Sequence, residues 1–284
     1  LFIYFHLARF PKPRQLIRML TTMQNPPSFE VLIEAAQAGG RILKSYFGQS
    51  LQTMEKSGAA DFKTKADIES EGVILAYLEK YAPEANIYSE ESERQDKGSP
   101  YTIVIDPLDG TNNFVLGLPN FSVSIGLLEN NTLLAGVIYA PVLEGECYYA
   151  EKGKGAFRNN DRIQVNTESS LERSTIAYSC GYHTPKQLEL DTARELYAKK
   201  TKRFLSNWSV AVDFCLLASG RIEACISNGT ELYDYAAGKL IALEAGAKIT
   251  DLSGQPEINQ LNDVFVISNG WIHEPVIEIT RALS

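Results

Sequence analysis

From Phe29 onward, apolar positions recur at helical spacing through Leu32, Ile33, Ala36, Gly40, Leu43 and Phe47, with Pro26-Pro27 before them and Gly48 behind. The pattern predicts an amphipathic helix with Ser28 as its N-cap. A second helix is predicted over 66–81, stopped by Pro83. Short apolar runs then predict strands at 86–89 and 101–105. Two longer runs, 121–128 and 133–139, flank Asn130-Asn131, a dipeptide that tolerates the positive φ of a tight hairpin. A strand at 146–150 leads into a glycine-rich turn at 153–155. Past residue 160 the periods alternate. Strands are predicted at 174–179, 222–226, 247–250 and 264–268, and helices at 186–200, 210–217, 234–245 and 274–283. No internal repeat or Gly/Ser linker divides the chain. The alternation predicts an α+β half over 28–160 followed by an α/β half over 161–284 within one unit.

Residues 1–27 break the pattern. The apolar start Leu1–Ala8 is too short to span a bilayer, and its basic residues follow it, the reverse of a signal peptide. The segment is expected to be a leader or over-long start with little order of its own. The remaining composition is that of an ordinary globular protein: 284 residues, 44% hydrophobic and 22% charged. A formal net charge of −8 argues against non-specific nucleic-acid binding, and no membrane association is expected. Cys147, Cys180, Cys215 and Cys225 have no CxxC spacing, so they are expected to be reduced core thiols of a cytoplasmic protein.

The chemistry concentrates where the apolar run Ile103-Val104-Ile105 meets Asp106-Pro107-Leu108-Asp109-Gly110-Thr111. Pro107 is expected to end the strand in a turn. Gly110 allows close approach of a ligand, and Thr111 is expected to cap a following helical turn. Alone, Asp-Pro and Asp-Gly read as turn dipeptides of a surface loop. Two further segments change that reading. Glu90 ends the short strand at 86–89, and Asp234 opens the helix at 234–245. Three acids at the ends of apolar elements suggest one shared site, whose like charges need a cation. With no His or Cys beside them, the oxygen donors favour Mg²⁺ or Mn²⁺.

Through these motifs the chain resembles the inositol monophosphatase family of Mg²⁺-dependent, lithium-sensitive sugar and nucleotide phosphatases. Asp106–Thr111 matches its DP(I/L)DGT signature, and Asp234-Tyr235-Ala236-Ala237-Gly238 with Glu244-Ala245-Gly246 matches WDxAAG followed by EAGG. Glu90-Glu91-Ser92 matches the acidic GEES segment, and Lys152–Phe157 with Asn159 matches the glycine-rich hairpin between the halves. The resemblance implies an α-β-α-β-α layered sandwich and a homodimer acting on a small phosphorylated metabolite. It implies a first Mg²⁺ on Glu90, Asp106 and the carbonyl of Leu108, and a second on Asp106, Asp109 and Asp234. A third, weaker ion near Glu90 is also implied, and Mn²⁺ is expected to substitute. Asp67 by itself reads as a helix N-terminal acid favoured by the dipole. The resemblance makes it, with Thr111, the pair that orients and deprotonates water, while the N–H groups of Gly110 and Thr111 face the phosphate.

Departures from the family pattern fall on the substrate pocket. Tyr233 replaces the tryptophan before the metal-binding acid, Ser227 stands where inositol phosphatases place a glutamate, and the small GSAA-like stretch becomes Trp208-Ser209-Val210-Ala211. Fructose 1,6-bisphosphate, histidinol phosphate and 3′-phosphoadenosine nucleotides are alternative substrates. For a nucleotide, Trp208 offers a stacking face and the basic residues at 199–203 the charge. A regulatory relative without turnover is the remaining alternative. Glu91 and Glu93 are expected to be solvated loop acids, and His6, His183 and His273 to be ordinary surface or core histidines.

Overall fold

The computed structural model describes residues 25–143, 145–257 and 260–283. The expectation for the leader therefore lies, up to residue 24, outside the described residues. The helix α1 (Phe29–Tyr46) is followed by a hairpin of β1 (Thr53–Gly58) and β2 (Asp61–Thr64), then by α2 (Lys65–Tyr81). The hairpin escapes a hydrophobic pattern because every residue of β1 is exposed. The strands β3 (Asn86–Ser89), β4 (Tyr101–Asp109), β5 (Ser122–Glu129), β6 (Thr132–Ala140), β7 (Glu146–Glu151), β8 (Gly155–Arg158) and β9 (Asp161–Ile163) lie in that order across a seven-stranded sheet. Only β3 and β4 pair in parallel. Asn130 and Asn131 take φ of 46° and 69° in the turn between β5 and β6, as the two-residue hairpin requires. Because β9 pairs with β8, the first sheet extends past the expected division at residue 160.

The second sheet is five-stranded, in the order β11 (Arg203–Leu205), β10 (Thr175–Cys180), β12 (Ala224–Asn228), β14 (Val264–Ser268), β13 (Lys248–Thr250). Between the sheets run α5 (Val210–Ala218) and α6 (Leu232–Glu244), while α4 (Lys186–Ala198) and α7 (His273–Arg281) cover the outer face. The short α3 (Thr111–Leu116) follows β4.

The two-residue period of a strand assigns each side chain to a layer. Ile103 and Ile105 of β4 pack with Leu32 and Leu43 of α1 and Ile74 and Leu78 of α2. Val104, between them, joins Phe214 of α5 and Tyr235 and Leu240 of α6. On β14, Phe265 and Ile267 face the middle layer, and Val266 faces Val276 and Ile277 of α7. The result is the layered α-β-α-β-α sandwich. Close contact at its centre needs small residues: a Cβ on Gly136 of β6 would lie 2.6 Å from the carbonyl oxygen of Ala237 on α6.

Pro107 does not end β4. The register between β4 and β5 slips between Asp106 and Asp109, which pair with Ser124 and Ser122. Two residues of β4 oppose one of β5 there, a β-bulge that accommodates a proline with no N–H to offer. The bulge has a second effect. Residues three apart on a regular strand face opposite sides, and the extra residue returns Asp109 to the side of Asp106.

Candidate active site

The bulged end of β4 meets the N-termini of α5 and α6, and the acids collect there. Oxygens of Asp106, Asp109 and Asp234 all lie within 4.8 Å of one another. Asp234 is the third residue of α6, and its Oδ2 accepts the Glu231 N–H at 2.8 Å. Asp109 accepts the N–H groups of Val210 at 3.0 Å and Ala211 at 3.2 Å, with the Ser209 hydroxyl and, at 3.4 Å, that of Ser122. Asp106 accepts the Leu108 N–H at 2.9 Å. All these donors are neutral, so they hold the carboxylates in place without discharging them. Burial, together with the neighbouring Glu90, Asp109 and Asp234, pushes the Asp106 carboxyl well above its usual range. Burial also raises Asp234, and raises Asp109 to about 6 against its hydrogen bonds.

Glu90 continues β3 by donating its N–H to the Ile105 carbonyl at 3.1 Å. Its carboxyl lies beside Asp106 and pairs with Lys56 Nζ at 2.7 Å. Burial raises it to about 7, although Lys56 opposes the shift. Lys56 comes from the exposed hairpin strand β1, and the fold brings its cation to the acids. Glu91 is not solvated. Its side chain is 2% exposed and paired with Lys56 and, at 3.0 Å, with Lys63.

Asp67 is fully buried as the third residue of α2. Its Oδ2 accepts from the N–H and hydroxyl of Thr64 at 2.8 and 2.6 Å, which closes a capping box. Its Oδ1 accepts the Thr111 hydroxyl at 2.9 Å. Burial raises its pKa against these bonds. Thr111 is the first residue of α3 rather than its cap: Gly110 is the N-cap, at φ 89°, and the Thr111 hydroxyl serves Asp67 and the Leu108 carbonyl. A Cβ at Gly110 would lie 2.7 Å from the Asn120 carbonyl, so this crowded left-handed position requires glycine.

These groups open into a cavity of about 610 Å³ lined by Glu90, Asp106, Leu108, Asp109, Gly110, Thr111, Asp234 and Trp208. Ser227 is not among its lining residues. Its hydroxyl is buried, bonded to the Asp263 carbonyl and to Thr230, both at 2.9 Å; its neighbours Asn228 and Glu231 line the cavity instead. None of residues 199–203 reaches the cavity. The basic side chain beside Trp208 is Lys186. Sequence reasoning also missed the role of Ser209. A serine directly before the apolar helix 210–217 is an N-cap signal, but here its hydroxyl turns to Asp109.

The oxygen-only donor set, its burial and its mutual repulsion fit a hard divalent cation. The profile of the inositol monophosphatase family matches residues 25–284. A fructose-1,6-bisphosphatase/inositol-1-monophosphatase of Thermotoga maritima is 36% identical over 246 residues, 85% of this chain and 91% of that protein. A Nus factor SuhB of Haemophilus influenzae is 33% identical over 260 residues, 90% of this chain and 97% of the relative. The crystal structure of the extragenic suppressor protein suhB from Bartonella henselae superposes with a TM-score of 0.81 at 33% identity, covering 90% of this chain and 97% of that one.

Proposed function

The chain belongs to the inositol monophosphatase family of phosphatases, and from that premise we propose that it is a Mg²⁺-dependent phosphomonoesterase acting on a small phosphorylated metabolite. The observation that carries this reading is the convergence of Asp106, Asp109 and Asp234 within 4.8 Å. Asp106, Asp109 and Asp234 would hold one cation, and Glu90, Asp106 and the Leu108 carbonyl would hold a second. Bound there, Mg²⁺ neutralises charge on the phosphoryl and leaving oxygens and makes water easier to deprotonate. The two halves of the chain act as one unit, because Asp234 comes from the second and the other ligands from the first.

The protein's own residues supply position and proton transfer. The Thr111 hydroxyl donates to Asp67, so its oxygen is turned to accept a hydrogen bond from the attacking water. Asp67, with its pKa raised by burial, takes the proton relayed through Thr111. The N–H groups of Gly110 and Thr111 face the phosphate. Ser209 and the first turn of α5 keep Asp109 from swinging away as charge changes in the site.

A non-catalytic regulatory role is the second reading, since relatives include proteins called Nus factor SuhB. The complete set of Asp67, Glu90, Asp106, Asp109, Thr111 and Asp234 favours turnover, which a purely regulatory protein does not require. Among the described residues no helix is long and apolar enough to cross a membrane. A cytoplasmic homodimer completes the proposal. Phosphate release from a panel of sugar, polyol and nucleoside phosphates, with Mg²⁺, Mn²⁺ or chelator, tests the reading. Turnover of at least one ester with metal supports it, and release that persists in excess chelator rejects it.

A further inference from the structure

Trp208 has a left-handed backbone, with φ of 54°. A bulky residue stays in that region only where its surroundings hold it there. Here they do. Asn207, just before it, donates from Nδ2 to the buried Asp213 at 3.1 Å and accepts from Asn120 at its Oδ1, 2.6 Å away. The Asn207 carbonyl accepts from Asn113 at 2.7 Å. Ser209, just after it, is buried with its hydroxyl on Asp109. The backbone on either side of Trp208 is therefore pinned, while the side chain remains 45% exposed in the wall of the cavity.

A glycine would take this conformation without strain. The turn does not need the indole, so the purpose of the indole lies in the cavity. Tyr182, itself 48% exposed, stands edge-on with its ring centroid 6.2 Å away, and Lys186 Nζ lies 4.9 Å from the indole centroid. The contacts orient the indole without burying it. Two half-exposed aromatic rings, with Leu188 on the same lining, give the cavity an apolar surface suited to a flat ring rather than to a polyol.

We propose that Trp208, edged by Tyr182, is the specificity-determining surface of the leaving-group pocket, and that the preferred substrate is a phosphomonoester of an alcohol carrying a flat, unsaturated ring. The inference rests on the phosphatase reading above. In the reaction the bond between phosphorus and the alcohol oxygen breaks, water supplies the new oxygen on phosphorus, and the alcohol leaves with a proton. The ring takes no part in bond breaking; it stacks and so positions the ester.

The test compares benzyl phosphate with glycerol 2-phosphate, both dianionic esters of ordinary alcohols, using the wild-type protein with Mg²⁺ alongside Trp208→Gly and Trp208→Phe. The wild type should favour the benzyl ester in kcat/KM by at least about tenfold. Trp208→Gly should lose most of that preference through KM, and Trp208→Phe should keep it. Because glycine fits the left-handed backbone, Trp208→Gly should melt no lower than the wild type. If it does melt lower, Tyr182→Leu provides the same comparison and should also weaken the preference. Hydrolysis of both esters without preference for the ring, or equal losses on both in Trp208→Gly, would overturn this inference and leave the phosphatase reading standing. Hydrolysis of neither ester by the wild type overturns both.

Discussion

Asp106, Asp109 and Asp234 stand on a bulged strand and a helix start in the packed middle of the sandwich, and neutral donors fix two of them from α5 and α6. Trp208 and Tyr182 sit on segments between elements, one before α5 and the other between β10 and α4, with much of each ring exposed. The first region stores charge repulsion that a cation relieves. The second stores backbone strain that serves an exposed ring. On the proposed function the difference teaches where its two parts would reside: reaction type at the packed ends of the sheet, and substrate choice in the connecting segments, which can change without disturbing the carboxylates.

The comparison is broken most forcefully at Asp106. Asp106→Asn should lower phosphate release by at least about 10³-fold, because on the proposed mechanism the site loses a charge that both cations would share. The metal-free variant should melt at or above the wild type, since a repelling carboxylate is gone. Near wild-type turnover in this variant would remove the carboxylates from the centre of the mechanism. A smaller effect is expected at Ser209. Ser209→Ala removes one hydrogen bond to a charged acceptor, a loss of about 1.5–3 kcal/mol, and should reduce kcat/KM by about 10- to 100-fold. An unchanged rate would mean that the backbone donors alone hold Asp109.

The stored repulsion has its own pH signature. Glu90 is raised to about 7 in the folded protein, so ionising it costs native stability as pH rises from its unfolded value through that point, and stability returns as pH falls. In chelator, Glu90→Gln should therefore gain in melting temperature relative to wild type as pH rises from about 5 to about 8. A constant difference across that range would show that Lys56 already compensates the charge. The smallest effect on selectivity is expected from Ser227→Glu. Its hydroxyl is spent on Asp263 and Thr230, so a charge there should cost about 1–3 kcal/mol of stability and leave the ratio of benzyl to glycerol phosphate unaltered. A shift in that ratio would put position 227 back on the pocket wall.

Most of the layered fold was legible because burial follows period. Val104 between Ile103 and Ile105, and Val266 between Phe265 and Ile267, mark strands covered on both faces. The β1–β2 hairpin was invisible because a wholly exposed strand carries no such signal. Asp106 and Asp109 were legible as a contiguous motif, but not the bulge that turns them to one side. Two errors share a cause. Glu91 looked like a loop acid and Ser227 like a pocket residue, because the partners that bury them, Lys56, Lys63, Thr230 and the Asp263 carbonyl, are set by tertiary contact rather than by spacing.

The central claim is that carboxylates from both halves of the chain hold the cations on which phosphate release depends. Titration of Mn²⁺ into the metal-free protein, followed by its electron paramagnetic resonance signal with phosphate release measured in the same samples, tests it most directly. The wild type should bind Mn²⁺ and turn over in parallel, while Asp106→Asn should lose both and Asp234→Asn should lose turnover together with the Mn²⁺ bound between Asp106, Asp109 and Asp234. Mn²⁺ binding and turnover that survive in either variant would contradict the claim.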